Sequence, residues 1–186
     1  MKLVKFIKLK TQNASFAQIA RLELESWVCG LIRPIPGGIG MLIRSFTLKL
    51  FFKNHRGISL IQHGVTWVDI SKISIGERFG CNSGSYINGV GGIQIGDDVL
   101  IGNNVTISSG RHPHGGRAQS IFSRAVIPEP IVIEDDVWIG AGAVIMPGIV
   151  LRKGSVIGAL SVVTKSTEEY GVYVGAPARK QAVREV

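Results

Sequence analysis

The feature that most constrains this chain is a repeat of six. From Ile133 onward a branched aliphatic returns at every sixth position: Ile133, Ile139, Ile145, Leu151, Ile157 and Val163. Glycine follows at 140 and 158, and the positions two before each aliphatic hold Ile131, Val137, Ala143, Ile149, Ser155 and Ser161. Upstream the pattern runs through Ile75, Cys81, Ile87 and Ile93, slips by two, and resumes at Ile95, Ile101 and Ile107, with glycine at 76, 96 and 102. A strand repeats every two residues and a helix about every 3.6, so a strict six fits neither alone. It does fit a short strand plus a corner. Three such hexapeptides close a three-sided coil, with aliphatics inside, glycine or polar residues at the corners, and slim residues two positions earlier. Successive coils stack at strand spacing, about 4.8 Å, each burying the face its neighbour exposes. About 110 residues remain once the interruption described next is removed, enough for roughly six coils of 18. A sandwich would need period-two alternation that these segments lack.

Ile107 to Ile133 spans 26 residues, and one further six-residue step leaves about 20 that a coil cannot absorb. They are predicted to leave the prism as a loop over 108–130. The loop opens on SGRHPHGGR and holds Arg111, His112, His114, Arg117 and Arg124. Long loops thrown from a rigid scaffold are more often functional than structural filler.

The net charge of +8 is unevenly placed. Residues 1–57 carry ten Lys and Arg against Glu23 and Glu25, whereas 58–186 carry eleven of each sign, so the whole excess belongs to the N-terminal segment. That segment is also apolar, with Trp27, Leu31, Ile39, Leu42, Phe46 and Phe51 among its residues. Its longest uncharged run, Pro34 to Ile43, is too short and too glycine-broken to span a bilayer. Two readings stay open: a helical cap on the first coil with its lysines reaching into water, and a surface for an anionic membrane face. Lys5, Lys8 and Lys10 break any apolar leader core, and Cys29 and Cys81 show no metal or redox spacing. A cytoplasmic protein with two buried thiols is expected.

The repeat resembles that of the hexapeptide-repeat acyltransferases, whose coils form a left-handed parallel β-helix. NNVTISSGRHP (103–113), preceded by IGDDVLIG, is similar to the stretch that carries the catalytic histidine in the galactoside and maltose O-acetyltransferase branch, with His112 on that position. VWIGAGAVIMPGIVL, IGALSVVTK and VGAPAR follow in the branch's order, so the likeness covers about residues 70–180. The N-terminal RPIPGGIGMLIRSFTLKL looks closer to relatives that acetylate capsular or lipopolysaccharide sugars. The architecture this implies is an all-β left-handed helix over 58–170, with a helical, basic, apolar segment at 1–57, the loop at 108–130 and a terminal strand or tail at 171–186.

The resemblance implies transfer of the acetyl group of acetyl-CoA to a saccharide hydroxyl, of a cell-surface polysaccharide or its precursor. His112 would be the general base and the backbone N–H of Ala141 the oxyanion donor. A base whose pKa lies near the working pH suits a weakly nucleophilic hydroxyl. Asn82 matches an acceptor-binding position, with a corner role as the alternative. His114 is a substrate contact, a bystander or the base itself, and Arg111 and Arg117 meet an acidic sugar or coenzyme phosphates, or only keep the loop in water. Gly84 and Val90 stand where the branch carries polar side chains. Trp138, Ala159, Thr164, Lys165 and Arg179 match the acetyl-CoA groove, although Trp138 also suits the coil exterior and Arg179 a tie for the last strand. The resemblance further implies a homotrimer with sites between subunits. No metal and no nucleic acid partner are expected. Other readings are N-acetylation of an amino sugar, O-acetylation of serine, a purely structural solenoid, and a γ-type carbonic anhydrase, for which His55, His63, His112 and His114 show no three-ligand spacing.

Overall fold

Residues 15–185 are described in the computed structural model, and Lys2, Lys5, Lys8 and Lys10 lie outside them. The residues spaced by six turn inward on three faces. Face A stacks Asn54–His55, Ile73–Ile75, Ile93–Ile95, Ile131–Ile133 and Val150–Leu151. Face B stacks Leu60–Ile61, Gly80–Cys81, Leu100–Ile101, Trp138–Ile139, Val156–Ile157 and Gly171–Val174. Face C stacks Thr66–Val68, Tyr86–Asn88, Thr106–Ser108, Val144–Ile145 and Val162–Val163. Neighbouring strands within each stack are parallel. Ile61, Cys81, Ile101, Ile139 and Ile157 form one buried column, and each other face has its own. The slim positions are buried too, and their hydroxyls satisfy corner backbone: Ser85 Oγ donates to Gly102 O at 2.9 Å, and Ser161 Oγ accepts from Gly175 N–H at 3.0 Å.

The slip of two in the sequence pattern has a local cause. Paired residues lie 20 apart in the early coils (Ile75 with Ile95, Cys81 with Ile101) and 18 apart later (Ile133 with Leu151). The extra residues sit at the corner between faces C and A, first in the 3-10 turn Ile70–Lys72 and then in Gly89 to Gly92. Ile133 pairs with Ile95 across 38 positions, an 18-residue coil plus 20, so the loop leaves at that same C–A corner. Its neck is an antiparallel pair, Gly110–Arg111 with Ile127–Pro128. A terminal strand, Arg179–Val183, folds back antiparallel on Gly171–Val174.

Two described helices sit against the first coil: α1 (Phe16–Ile32), opened by a Ser15/Gln18 capping box, and α2 (Gly37–Lys49), entered after Pro36. Leu48 and Phe52 close the core, Phe52 edge-on to Trp67 at 5.1 Å. A cap is expected to turn its apolar side to the coil, but here the faces are largely inverted. The buried positions are Glu25 in α1 and Gly40, Arg44, Ser45 and Leu48 in α2. Arg44 has no carboxylate partner and instead donates to the carbonyls of Ile61 (2.9 Å), Ile32 (3.0 Å) and Ile35 (2.6 Å), tying both helix ends to the coil. Cys81 is buried and Cys29 only half-buried; burial pushes their thiols up to about 12 and about 11, so both are poor nucleophiles.

Candidate active site

The loop carries both of its histidines on the surface, and neither imidazole has a partner among the described residues. The surrounding chain is ordered by charged groups. At the neck Arg111 Nε donates to Glu129 Oε1 at 2.7 Å, which occupies the arginine the resemblance offered to substrate. Inside the loop the Arg124 guanidinium donates to the carbonyls of Pro113 (3.3 Å), Gly116 (3.0 Å) and Gln119 (2.9 Å), and also to that of Gly115. One fork of N–H groups thus organises the segment directly after His112. Beside the neck lies an open hollow of about 460 Å³ lined by Lys53, Ser71, Lys72, Val90, Gly91, Gly92 and Pro128. Lys72 Nζ donates to Val90 O at 3.1 Å and stands 3.8 Å from Asp69. Thr164 and Lys165 belong to the same C–A edge, beyond the face C strand Val162–Val163; both are exposed, and Lys165 has no partner among the described residues.

Three of the remaining expected residues stand at the other edge of face C, where B turns into C. Asn82 follows Gly80–Cys81 there, and Ala141 and Ala159 follow in later coils, both exposed. The backbone is bare along this edge. A Cβ placed on Gly140 would meet Ala159 N at 2.6 Å and Ile157 O at 2.8 Å, so only glycine lets these coils approach. The Ala141 carbonyl accepts from Leu160 N–H at 2.9 Å, while its N–H donates to nothing among the described residues. Ser83, Asn103 and Ala159 share that property, so Ala141 differs by its place in the stack. Trp138 projects from face B, 52% exposed, with Leu100 and Val156 as strand neighbours. Arg179 is exposed on the terminal strand, with Nη1 donating to Ala178 O at 3.0 Å. One chain therefore holds His112, Thr164 and Lys165 on one edge of face C and Asn82, Ala141 and Ala159 on the other.

Two family models match the repeat: bacterial transferase hexapeptide (six repeats) over 130–165 and hexapeptide repeat of succinyl-transferase over 72–109. The structure superposes on a maltose O-acetyltransferase from Clostridium difficile 630 with a TM-score of 0.81 and 30% identity, covering 92% of this chain and 90% of that one. The chain belongs to the hexapeptide-repeat acetyltransferases. Its solenoid is accordingly the left-handed parallel β-helix. A hexapeptide-repeat acetyltransferase of Vibrio cholerae, solved with acetyl-coenzyme A, matches at a TM-score of 0.81 and 28% identity over 92% of both chains. In sequence, galactoside O-acetyltransferase of Escherichia coli K12 is 39% identical over 116 residues, 62% of this chain and 55% of that protein. The chain spans about half the length of the curated relatives it matches.

Two features of the candidate site carry no motif in the sequence of a hexapeptide-repeat protein. Arg124 had no motif to mark it, and its role exists only once the loop folds back on itself. The two lysines of the hollow are 19 positions apart, close to the early coil length of 20, which is the signal that places Lys53 beside Lys72. Among the described residues no three metal-ligating side chains converge. His55 is buried against Ser59 at 2.5 Å and His63 is exposed on the first coil, apart from the loop histidines.

Proposed function

We propose that this protein transfers the acetyl group of acetyl-CoA directly to a hydroxyl of a saccharide, a cell-surface polysaccharide or its precursor, with His112 as general base. The observation that carries this reading is an exposed, unpartnered histidine on a loop organised behind it by Arg124, in a family member with a bare glycine and alanine edge. His112 takes the proton as the sugar oxygen attacks the thioester carbonyl, the carbon–sulfur bond breaks, and the same imidazole returns the proton to the departing thiolate. Such base catalysis supplies about 10² to 10⁴-fold, leaving the rest to orientation and to a donor for the oxyanion, the Ala141 N–H. The low strip at Gly140, Ala141 and Ala159 leaves room for a pantetheine arm; Trp138 flanks it, and Arg179, with Thr164 and Lys165 of the facing prism, supplies polar and cationic ends for the nucleotide phosphates.

The acceptor enters by the hollow beside the neck, where Lys53 and Lys72 favour an acidic or phosphorylated saccharide, with His114 and the Nη groups that Arg111 keeps free of Glu129 as contacts on that edge and Asn82 reaching in from the facing prism. Because the base and the oxyanion donor occupy opposite edges of face C, the working unit is a C3 homotrimer whose sites form between neighbouring prisms. The helices within 15–49 dock on the first coil, the prism runs from Asn54–His55 to Gly171–Val174 rather than over 58–170, the strand Arg179–Val183 closes its end, and the enzyme works in the cytoplasm. No described helix is long and apolar enough to cross a membrane. The test is transfer from labelled acetyl-CoA across a panel of neutral, acidic and amino sugars. Labelled O-acetyl ester on an acidic sugar is expected, and His112→Ala should lower the rate by at least about 10²-fold. Retention of more than about a tenth of the rate by His112→Ala would reject the base assignment. Label on amino groups alone would reject the hydroxyl acceptor.

A further inference from the structure

The two helices wear their apolar faces outward. In α1, Phe16, Ala20, Leu24, Trp27 and Leu31 fall at i, i+4, i+8, i+11 and i+15, one stripe about 80° wide and about 22 Å long. All five are exposed, Phe16 at 87% and Trp27 at 69%, while the opposite side of the helix holds the buried Glu25. In α2, Ile39, Leu42, Ile43, Phe46 and the following Leu50 make a second stripe about 100° wide, with Ile39 at 74% and Phe46 at 62%. Arg44 and Ser45 face inward instead. Surfaces of soluble monomers rarely gather so many large apolar side chains on adjacent elements unless something covers them.

The charge says what covers them. Arg33 and Lys49 are exposed at the helix ends, and in the sequence residues 1–14, outside the described residues, carry Lys2, Lys5, Lys8 and Lys10 with no acidic residue. The rest of the protein, 58–186, is neutral overall, so the excess positive charge belongs to the N-terminal 57 residues, where Glu23 is the one exposed carboxylate of the two described helices. Two amphipathic helices, too short or too polar to span and flanked by cations, have the composition of elements that lie in a headgroup layer. We infer that the outward faces of α1 and α2 form a docking surface for an anionic lipid bilayer, in which Trp27 and Phe46 enter the headgroup boundary and the flanking Lys and Arg hold lipid phosphates. The inference is independent of the acetyl-transfer reading, since it concerns the far side of the helices.

The test is sedimentation of the full chain with phosphatidylcholine vesicles, with and without about 30% phosphatidylglycerol. The wild type is expected to pellet with the anionic vesicles, to be released by salt, and to stay in solution with neutral ones. Trp27→Asp combined with Phe46→Asp should lower the partition at least about tenfold with an unchanged melting temperature, because both side chains are more than half exposed. Arg33→Glu combined with Lys49→Glu should lower anionic binding by a similar factor while leaving the apolar stripes intact. Absence of binding to anionic vesicles, or equal binding by the Trp27/Phe46 variant, overturns the proposal. So does light scattering in which that variant alone falls to a half or a third of the mass of the wild-type assembly, since the stripes would then cover another copy of this chain.

Discussion

Arg124 holds the loop from inside, and its geometry explains why it is an arginine. Its fork donates to four carbonyls between Pro113 and Gln119, whereas a lysine ammonium is a single nitrogen that cannot reach all of them. It touches no reacting atom and acts by positioning the stretch that follows His112. Arg124→Lys is therefore expected to lower kcat for acetyl transfer about tenfold, the equivalent of one or two net hydrogen bonds, with little change in the KM for acetyl-CoA or in melting temperature. Steady-state kinetics with both substrates varied would check this, and a variant that loses melting temperature but keeps kcat would contradict it. His112, by contrast, is legible from its motif alone, since a His-Pro at the mouth of an extruded loop is a local pattern.

At the scale of elements, the solenoid and its loop are nearly separate objects. Ile133 stacks on Ile95 in register whether the intervening excess is 20 residues or none, and the neck strands need only a turn between them. Replacing 112–126 by Asn-Gly, a two-residue hairpin turn, should leave thermal unfolding within a few degrees of wild type and abolish transfer. A collapse of the circular dichroism transition would show instead that the loop supports the prism. The C–A corner was already widened by two residues in the coils below, at Ile70–Lys72 and Gly89 to Gly92, so the loop enlarges an existing irregularity. The helices are the element the sequence described least well. A helical, basic, apolar segment was legible over 1–57 without its helix boundaries, and the apolar stripes turned to solvent while the side with Arg44 turned to the coil.

The whole molecule adds two consequences. Burial, with Lys49 nearby, holds the His55 imidazole below its ordinary range near about 6.5. As pH falls through that range the unfolded chain takes up a proton that folded His55 resists, so stability is present above it and lost on acidification. Thermal melts should show a lower transition temperature at about pH 5.5 than at about pH 7.5, and His55→Gln should flatten the difference. Glu25, which burial raises, acts in the opposite sense at lower pH. The second consequence is complementation. If sites form between prisms, His112→Ala subunits co-folded with subunits blocked at the coenzyme edge by Ala159→Trp should recover roughly a quarter of wild-type activity, the share of intact seams in random C3 trimers. No recovery would place the whole site within one chain.

The sequence by itself determined the parallel three-sided coil, the existence of an excess of about 20 residues and the family, because each is a local regularity repeated until chance is excluded. Cys81, Ile87 and Ile95 must point inward in any coil that obeys a period of six. The tertiary structure alone decided which corner opens, that His112 and Ala141 stand on opposite edges of face C, and which way α1 and α2 turn. The reason is that positions one hexapeptide apart in the chain occupy different sides of the prism, and a position's neighbours are set by stacking between coils 18 to 20 residues apart. An amphipathic helix likewise has two faces in the sequence, and only the carbonyls of Ile32, Ile35 and Ile61, waiting for one guanidinium, selected the face that went inside.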